Sequence, residues 1–125
     1  MHNANPAIVI IPTYNEKNNI KLVVKKLIGY DIDILVIDDN SPDGTAQVVK
    51  ELKEQYKNRI YLIEREGKLG LGTAYIKGFK WALKKDYQYI LEMDADLSHD
   101  PADVPRLIKK CRQGHDFVIG SRYCK

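Results

Sequence analysis

The chain has 125 residues, 44% hydrophobic and 30% charged, with 20 lysines and arginines against 17 aspartates and glutamates for a net charge of +3. That is the length of one ordinary domain able to bury a core, and the balance lies well away from that of disordered chains. The small basic excess, without a basic stripe interleaved with aromatics, argues against a nucleic-acid surface, and no stretch approaches the ~20 apolar residues of a membrane-spanning helix.

Residues 1–6 are too short and polar for a signal peptide. Ala7–Ile11 reads as a first strand that runs into Pro12-Thr13-Tyr14-Asn15-Glu16. Ile20, Val23, Val24, Leu27 and Ile28 then recur at helical spacing, with Gly29 where the helix should end. Ile32–Ile37 predicts a second strand closing at Asp38-Asp39-Asn40-Ser41, and Ser41-Pro42 reads as a capped helix start. Ile60–Ile63 predicts a third strand, leading into Arg65-Glu66-Gly67-Lys68-Leu69-Gly70-Leu71-Gly72 and a further helix. Tyr87–Met93 predicts a fourth strand, closed by Asp94-Ala95-Asp96. Asp100-Pro101 marks the last helix start; Val104, Leu107, Ile108 and Cys111 form its apolar face and Gly114 its end. Phe117–Ile119 predicts a fifth strand, followed by Gly120-Ser121-Arg122-Tyr123. The pairs Lys25-Lys26, Lys84-Lys85 and Lys109-Lys110 fall near helix ends, where cations suit the dipole; contact with an anionic membrane is the second reading. Cys111 and Cys124 lack the spacing of a zinc site and fit a reducing cytoplasm, with Cys111 expected to be buried.

This alternation calls for one α/β unit, a parallel sheet of nearly all-apolar strands covered by helices on both faces. In such open sheets ligands bind outside the carboxyl ends of the strands. Five polar clusters would then share one rim, and carboxylates reach it on at least two of them.

The clusters differ in the chemistry they suggest. Asp94 and Asp96, two residues apart at a strand end, would face one space, an arrangement that costs stability unless a cation or hydrogen-bond donors compensate. Mg²⁺ and similar hard ions take one or two carboxylates and leave other positions to water and phosphates. Asp38 and Asp39, as successive strand residues, should do different jobs: one accepting from a base or ribose, the other orienting Ser41-Pro42. Tyr14 can stack on a base or simply pack. The glycine-rich loop carrying Lys68 can approach an anion closely, although it is neither a dinucleotide fingerprint nor a P-loop. The Arg122 guanidinium suits phosphate oxygens, and His99 can neighbour a metal or act in acid–base chemistry. A receiver-type signalling module also gathers aspartates at such a rim, but its acidic pair should close the first strand and its phosphoacceptor the third.

Together the segments Ile11–Glu16, Ile37–Thr45, Gly70–Tyr75, Met93–Pro101 and Gly120–Tyr123 resemble family 2 glycosyltransferases, and most of all the dolichol-phosphate (polyprenyl-phosphate) mannosyltransferase group. The blocks occur in order along nearly the whole chain, and Asp-Asp-Asn-Ser-Pro-Asp-Gly-Thr with Met-Asp-Ala-Asp-Leu-Ser-His-Asp-Pro carries the specificity. The resemblance implies a GT-A fold that binds a nucleotide-diphosphate sugar, GDP-mannose, with Mg²⁺ or Mn²⁺. It implies that Pro12, Tyr14, Glu16, Asp38, Asp39, Lys68 and the Asp94-Ala95-Asp96 stretch hold the donor. Asp94 and Asp96 would hold the metal, with Ser98 as a further ligand where relatives can carry glutamine, and Asp94, Asp96 and Arg122 would serve catalysis. Lys68 and Arg122 would reach phosphates or the acceptor side. The acceptor would be a polyprenyl phosphate; a UDP-sugar with a saccharide acceptor, or a nucleotide-binding fragment without activity, are the alternatives. Residues 1–125 would be the donor-binding portion of a longer cytoplasmic enzyme, peripheral at a membrane through a C-terminal part beyond this sequence.

Overall fold

Apolar residues along the two central strands divide between two cores, as the two-residue period of a strand requires. Ala7, Val9, Ile11, Ile32, Ile34 and Val36 enter one core; Ile8, Ile10, Leu35 and Ile37 enter the other. The computed structural model describes residues 5–67, 70–96, 98, 100–112 and 122–124. Along them run β1 (Ala7–Thr13), α1 (Lys17–Leu27), β2 (Ile32–Asp38), α2 (Thr45–Gln55), β3 (Ile60–Glu64), α3 (Leu71–Leu83), β4 (Tyr89–Glu92), a 3₁₀ turn (Pro101–Asp103) continuing into α4 (Val104–Arg112), and β5 (Arg122–Cys124).

The sheet order is β3-β2-β1-β4-β5. The first four strands are parallel, and β5 runs antiparallel to β4 with Leu91 opposite Arg122. α1, α2 and α4 cover the first core through Ile20, Val23, Val24, Leu27, Val49, Leu52 and Val104. α3 covers the second through Ala74 and Ala82. Its approach is close at Gly78, where a Cβ would lie 2.6 Å from Ile10 Cγ2 and 2.8 Å from Ile37 Cδ1.

This topology fixes where a ligand can sit. From β1 the chain moves to β2 and β3 on one side, then crosses by α3 to β4 on the other side of β1. The strand order therefore reverses between β1 and β4, which opens a crevice at their carboxyl ends. In register, Thr13, Asp38 and Glu64 end β1, β2 and β3 level with one another, while β4 ends at Glu92 opposite Ile10.

The mostly parallel sheet with helices on both faces stands as expected, with four differences. β1 and β2 run to Thr13 and Asp38, beyond Ile11 and Ile37. β4 is shorter than Tyr87–Met93, so Asp94 and Asp96 lie in the turn beyond it and not on one strand face. Ser41-Pro42 does not start a helix. The Asp38 carboxylate accepts from Ser41 N at 3.0 Å and holds a turn, and α2 begins at Thr45 after Gly44 at φ +88°. Arg122 opens β5 antiparallel to β4 and does not follow a parallel strand. Asp100-Pro101 does mark a helical start, with the Asp100 carboxylate accepting from Ala102 N at 2.9 Å. Phe117–Ile119, Gly114 and the Cys111 side chain lie outside the described residues. Among the described residues no helix is long and apolar enough to cross a membrane.

Candidate active site at the switch point

The turn after β1 and the loop after β2 are built as one unit. Glu16 begins α1 without a side-chain cap of its own, so the amide groups there need partners from elsewhere. The loop after β2 supplies them: Ser41 Oγ accepts from Asn15 N at 2.9 Å, Thr45 Oγ1 from Glu16 N at 3.1 Å and Asp43 Oδ2 from Lys17 N at 3.1 Å. Beneath them the Asp38 carboxylate, 1% exposed, accepts from Thr13 Oγ1 at 2.7 Å and Ser41 Oγ at 2.6 Å. Most polar side chains of the Asp-Asp-Asn-Ser-Pro-Asp-Gly-Thr block thus hold backbone in place.

Asp39 is the exception. Its carboxylate lies at the crevice and is gripped by the Arg65 guanidinium, with Nη2 2.8 Å from Oδ2 and Nε donating to Oδ1. The same guanidinium reaches Thr73 Oγ1 and the Gly70 carbonyl, both at 3.0 Å. Gly70 sits at φ +102°, a conformation open to glycine, at the entrance to α3. Arg65 therefore ties the end of β2 to the glycine-rich loop.

On the other side of the crevice, Asp94 is half-buried and Asp96 exposed. Tyr75 on α3 donates its hydroxyl to Asp94 Oδ1 at 2.7 Å, and Ser98 N donates to Asp96 Oδ1 at 2.9 Å. Burial first, then the Asp94 bond and the charges of Asp94, Glu92 and Asp96, push the Tyr75 phenol well above its ordinary value, so it stays a donor. Burial, followed by the charge of Asp94, also raises the Glu92 carboxyl.

Between these groups lies a cleft of about 260 Å³, lined by Pro12, Thr13, Tyr14, Glu16, Asp39, Gly70, Ala74 and Asp94-Ala95-Asp96. Pro12, Tyr14, Glu16, Asp39, Asp94, Ala95 and Asp96 from the sequence reading converge there. Asp38 does not line it, being occupied by Thr13 and Ser41. Ser98 stands exposed beyond it, meeting Asp96 through its backbone. Arg122 is placed by its backbone alone, opposite Leu91 near the end of β4. Lys68 and His99 lie outside the described residues. The residues that sequence reasoning missed are Arg65, Tyr75, Thr13 and Ala74. An arginine at the start of the loop after β3 was visible, but its carboxylate partner is 26 positions away.

A divalent ion fits this donor set. Asp94 and Asp96 offer oxygen ligands only, with Asp94 Oδ1 held by the Tyr75 hydroxyl and Asp96 Oδ1 by Ser98 N. Among the described residues no group of three or more His, Cys, Asp or Glu forms a closed cage. Two carboxylates at an open cleft suit Mg²⁺ or Mn²⁺ shared with a phosphate-bearing ligand.

Fold and cleft together define an α/β domain of the GT-A type, in which a doubly wound sheet carries an acidic crevice at its switch point. The chain belongs to glycosyl transferase family 2, whose pattern it matches over residues 8–125. It is 45% identical over 118 residues to the polyprenol monophosphomannose synthase of Mycolicibacterium smegmatis, covering 93% of this chain and 44% of that protein. It is 43% identical over 117 residues to the undecaprenyl-phosphate mannosyltransferase of Micrococcus luteus, covering 92% and 47%. The chain thus spans about half the length of these relatives. Among solved structures, it resembles the mannosyltransferase PcManGT of Pyrobaculum calidifontis in complex with GDP-Man and Mn²⁺, with TM-score 0.66, 26% identity and coverage of 73% of this chain and 27% of that one. TarS residues 1–349 of S. aureus, at TM-score 0.68 and 23% identity over 87% of this chain and 32% of that one, shares the fold.

Proposed function

We propose that this chain is the donor-binding domain of a mannosyltransferase that moves mannose from GDP-mannose to a polyprenyl phosphate with Mg²⁺ or Mn²⁺. The observation that carries the reading is the meeting of Asp94 and Asp96 with Asp39 and the Pro12–Glu16 turn around one cleft at the switch point. The names of the two mannosyl-transferring relatives support the sugar and the acceptor, and the GDP-Man and Mn²⁺ of the Pyrobaculum structure support the nucleotide and the metal.

In this reading Tyr14 offers its ring to the base, and Asp39, held by Arg65, accepts from base or ribose. Asp94 and Asp96 hold the metal, which would neutralise charge on the departing diphosphate. An anionic acceptor oxygen attacks the anomeric carbon of mannose as the bond to the diphosphate oxygen breaks, so the chain needs no general base. A sugar hydroxyl acceptor would require one. Lys68 and Arg122 are proposed to meet phosphates, and Ser98 to complete the metal site directly or through water. Because the acceptor is a lipid, the site would work against a membrane surface; the widely spaced cysteines favour its cytoplasmic side. Incubation of the whole protein with labelled GDP-mannose and a polyprenyl phosphate should yield a labelled lipid whose formation stops with EDTA. Transfer to free sugars in place of the lipid phosphate would contradict the proposed acceptor.

A further inference from the structure

We infer that Tyr75 is a positioning residue: its hydroxyl fixes the Asp94 carboxylate so that one oxygen faces away from α3 and is left for the metal. The inference rests on the proposed role of Asp94 as a metal ligand. Asp94 stands two residues beyond β4, after the strand's ladder has ended, with Met93 N still bonded to the Ile10 carbonyl at 2.9 Å. A carboxylate on such a turn has rotational freedom that a metal site must remove. Tyr75 removes it from outside the turn, with its hydroxyl 2.7 Å from Asp94 Oδ1.

The support is itself rigid. Tyr75 packs against the second core, and on its helix Ala74 and Ala82 are buried while Gly78 lets the backbone lie close on Ile10 and Ile37. The start of that helix is anchored separately, since Arg65 holds both Thr73 Oγ1 and the Gly70 carbonyl while gripping Asp39. One helix thereby sets the position of the carboxylates on both sides of the cleft. A phenol has one proton to give, so the ring fixes a single carboxylate oxygen and leaves the second uncommitted to it. Outer-shell partners of this kind are generally worth about 10–100-fold in metal affinity.

The test is a titration of the whole protein with Mn²⁺ in the presence of GDP, following the loss of the free Mn²⁺ resonance, alongside GDP binding in EDTA. Tyr75→Phe should weaken Mn²⁺ binding by about 10-fold or more while leaving GDP binding in EDTA unchanged. Replacing Tyr75 by 4-aminophenylalanine, which keeps an N–H donor at the para position, should restore most of the affinity. 4-Methylphenylalanine, which keeps the shape without the donor, should not, and this pair decides the matter even if the Phe variant fails to fold. Wild-type Mn²⁺ affinity in the Phe or methyl variant would overturn the inference while leaving Asp94 as a ligand. Equal loss in the amino and methyl variants would reduce Tyr75 to packing and overturn it too. A wild-type protein that binds no Mn²⁺ would instead overturn the metal reading beneath it.

Discussion

Asp38 and Asp39 are adjacent carboxylates whose partners assign them opposite uses. Asp38 spends its oxygens on Thr13 and Ser41 and so shapes the two rim turns, whereas Asp39 is turned to the cleft and paired with Arg65. The pair is almost out of water, with side chains 8% and 9% exposed. Removing one member of such a pair leaves an uncompensated charge, which costs about 3–5 kcal/mol. Arg65→Met should therefore lower unfolding stability by about that amount in urea denaturation. Arg65→Lys should recover only part of it, because a single ammonium cannot reproduce the bidentate grip on Asp39 and reach Thr73 and Gly70. The sequence showed that two successive aspartates need different tasks. It did not show which was which, since that depends on Thr13 and Arg65, 25 and 26 positions away from their partners.

Among the elements, α3 shows most plainly how a residue choice positions the site. Glycine inside a helix ordinarily costs about 0.5–1 kcal/mol relative to alanine. At Gly78 the sheet reverses that preference, because an added Cβ would fall 2.6 Å from Ile10. Overpacking of this kind costs about 1–3 kcal/mol, so Gly78→Ala should destabilise the fold despite its better helix propensity, as measured by the denaturation midpoint. By moving α3 outward it should also weaken nucleotide binding at a cleft lined by Gly70 and Ala74. Strand and helix periods were legible because burial imposes them directly: the α1 face of Ile20, Val23, Val24 and Leu27 is buried as spaced. The Ser41-Pro42 helix start was not, because Asp38 captures Ser41, the Ser41, Asp43 and Thr45 side chains bond the start of α1, and the α2 start at Thr45 N is met by Asp43 Oδ1. Capping across two loops leaves no local signature.

At the scale of the whole molecule, the two ends of the sheet carry different polar chemistry. Away from the cleft, Asp33 is 2% exposed and accepts from the Tyr87 hydroxyl and from Asn5 Nδ2 at 2.8 Å, with Arg59 Nε at 3.7 Å. Burial, followed by the bond and charge of Asp33, pushes the Tyr87 phenol above its ordinary value. The folded state thus keeps a proton that the unfolded chain loses above pH of about 10. This contribution is fully present below that pH and declines as pH rises past it, since the unfolded state then binds fewer protons. Stability should fall above pH of about 10, and Tyr87→Phe should flatten that fall. At the opposite end, the reversal of strand order between β1 and β4 gathers Asp39, Asp94 and Asp96 around one opening. The alternation of strands and helices implied such a rim, but the position of the crevice follows from strand order, which pairing alone reveals. The central claim, that this crevice is a metal-dependent nucleotide-sugar site, is tested most directly by calorimetric titration of GDP with Mn²⁺ or with EDTA, for the wild type and Asp94→Ala. Binding should be tight with Mn²⁺ and markedly weaker both for the wild type in EDTA and for the variant with Mn²⁺; GDP binding that is the same in all three would contradict it.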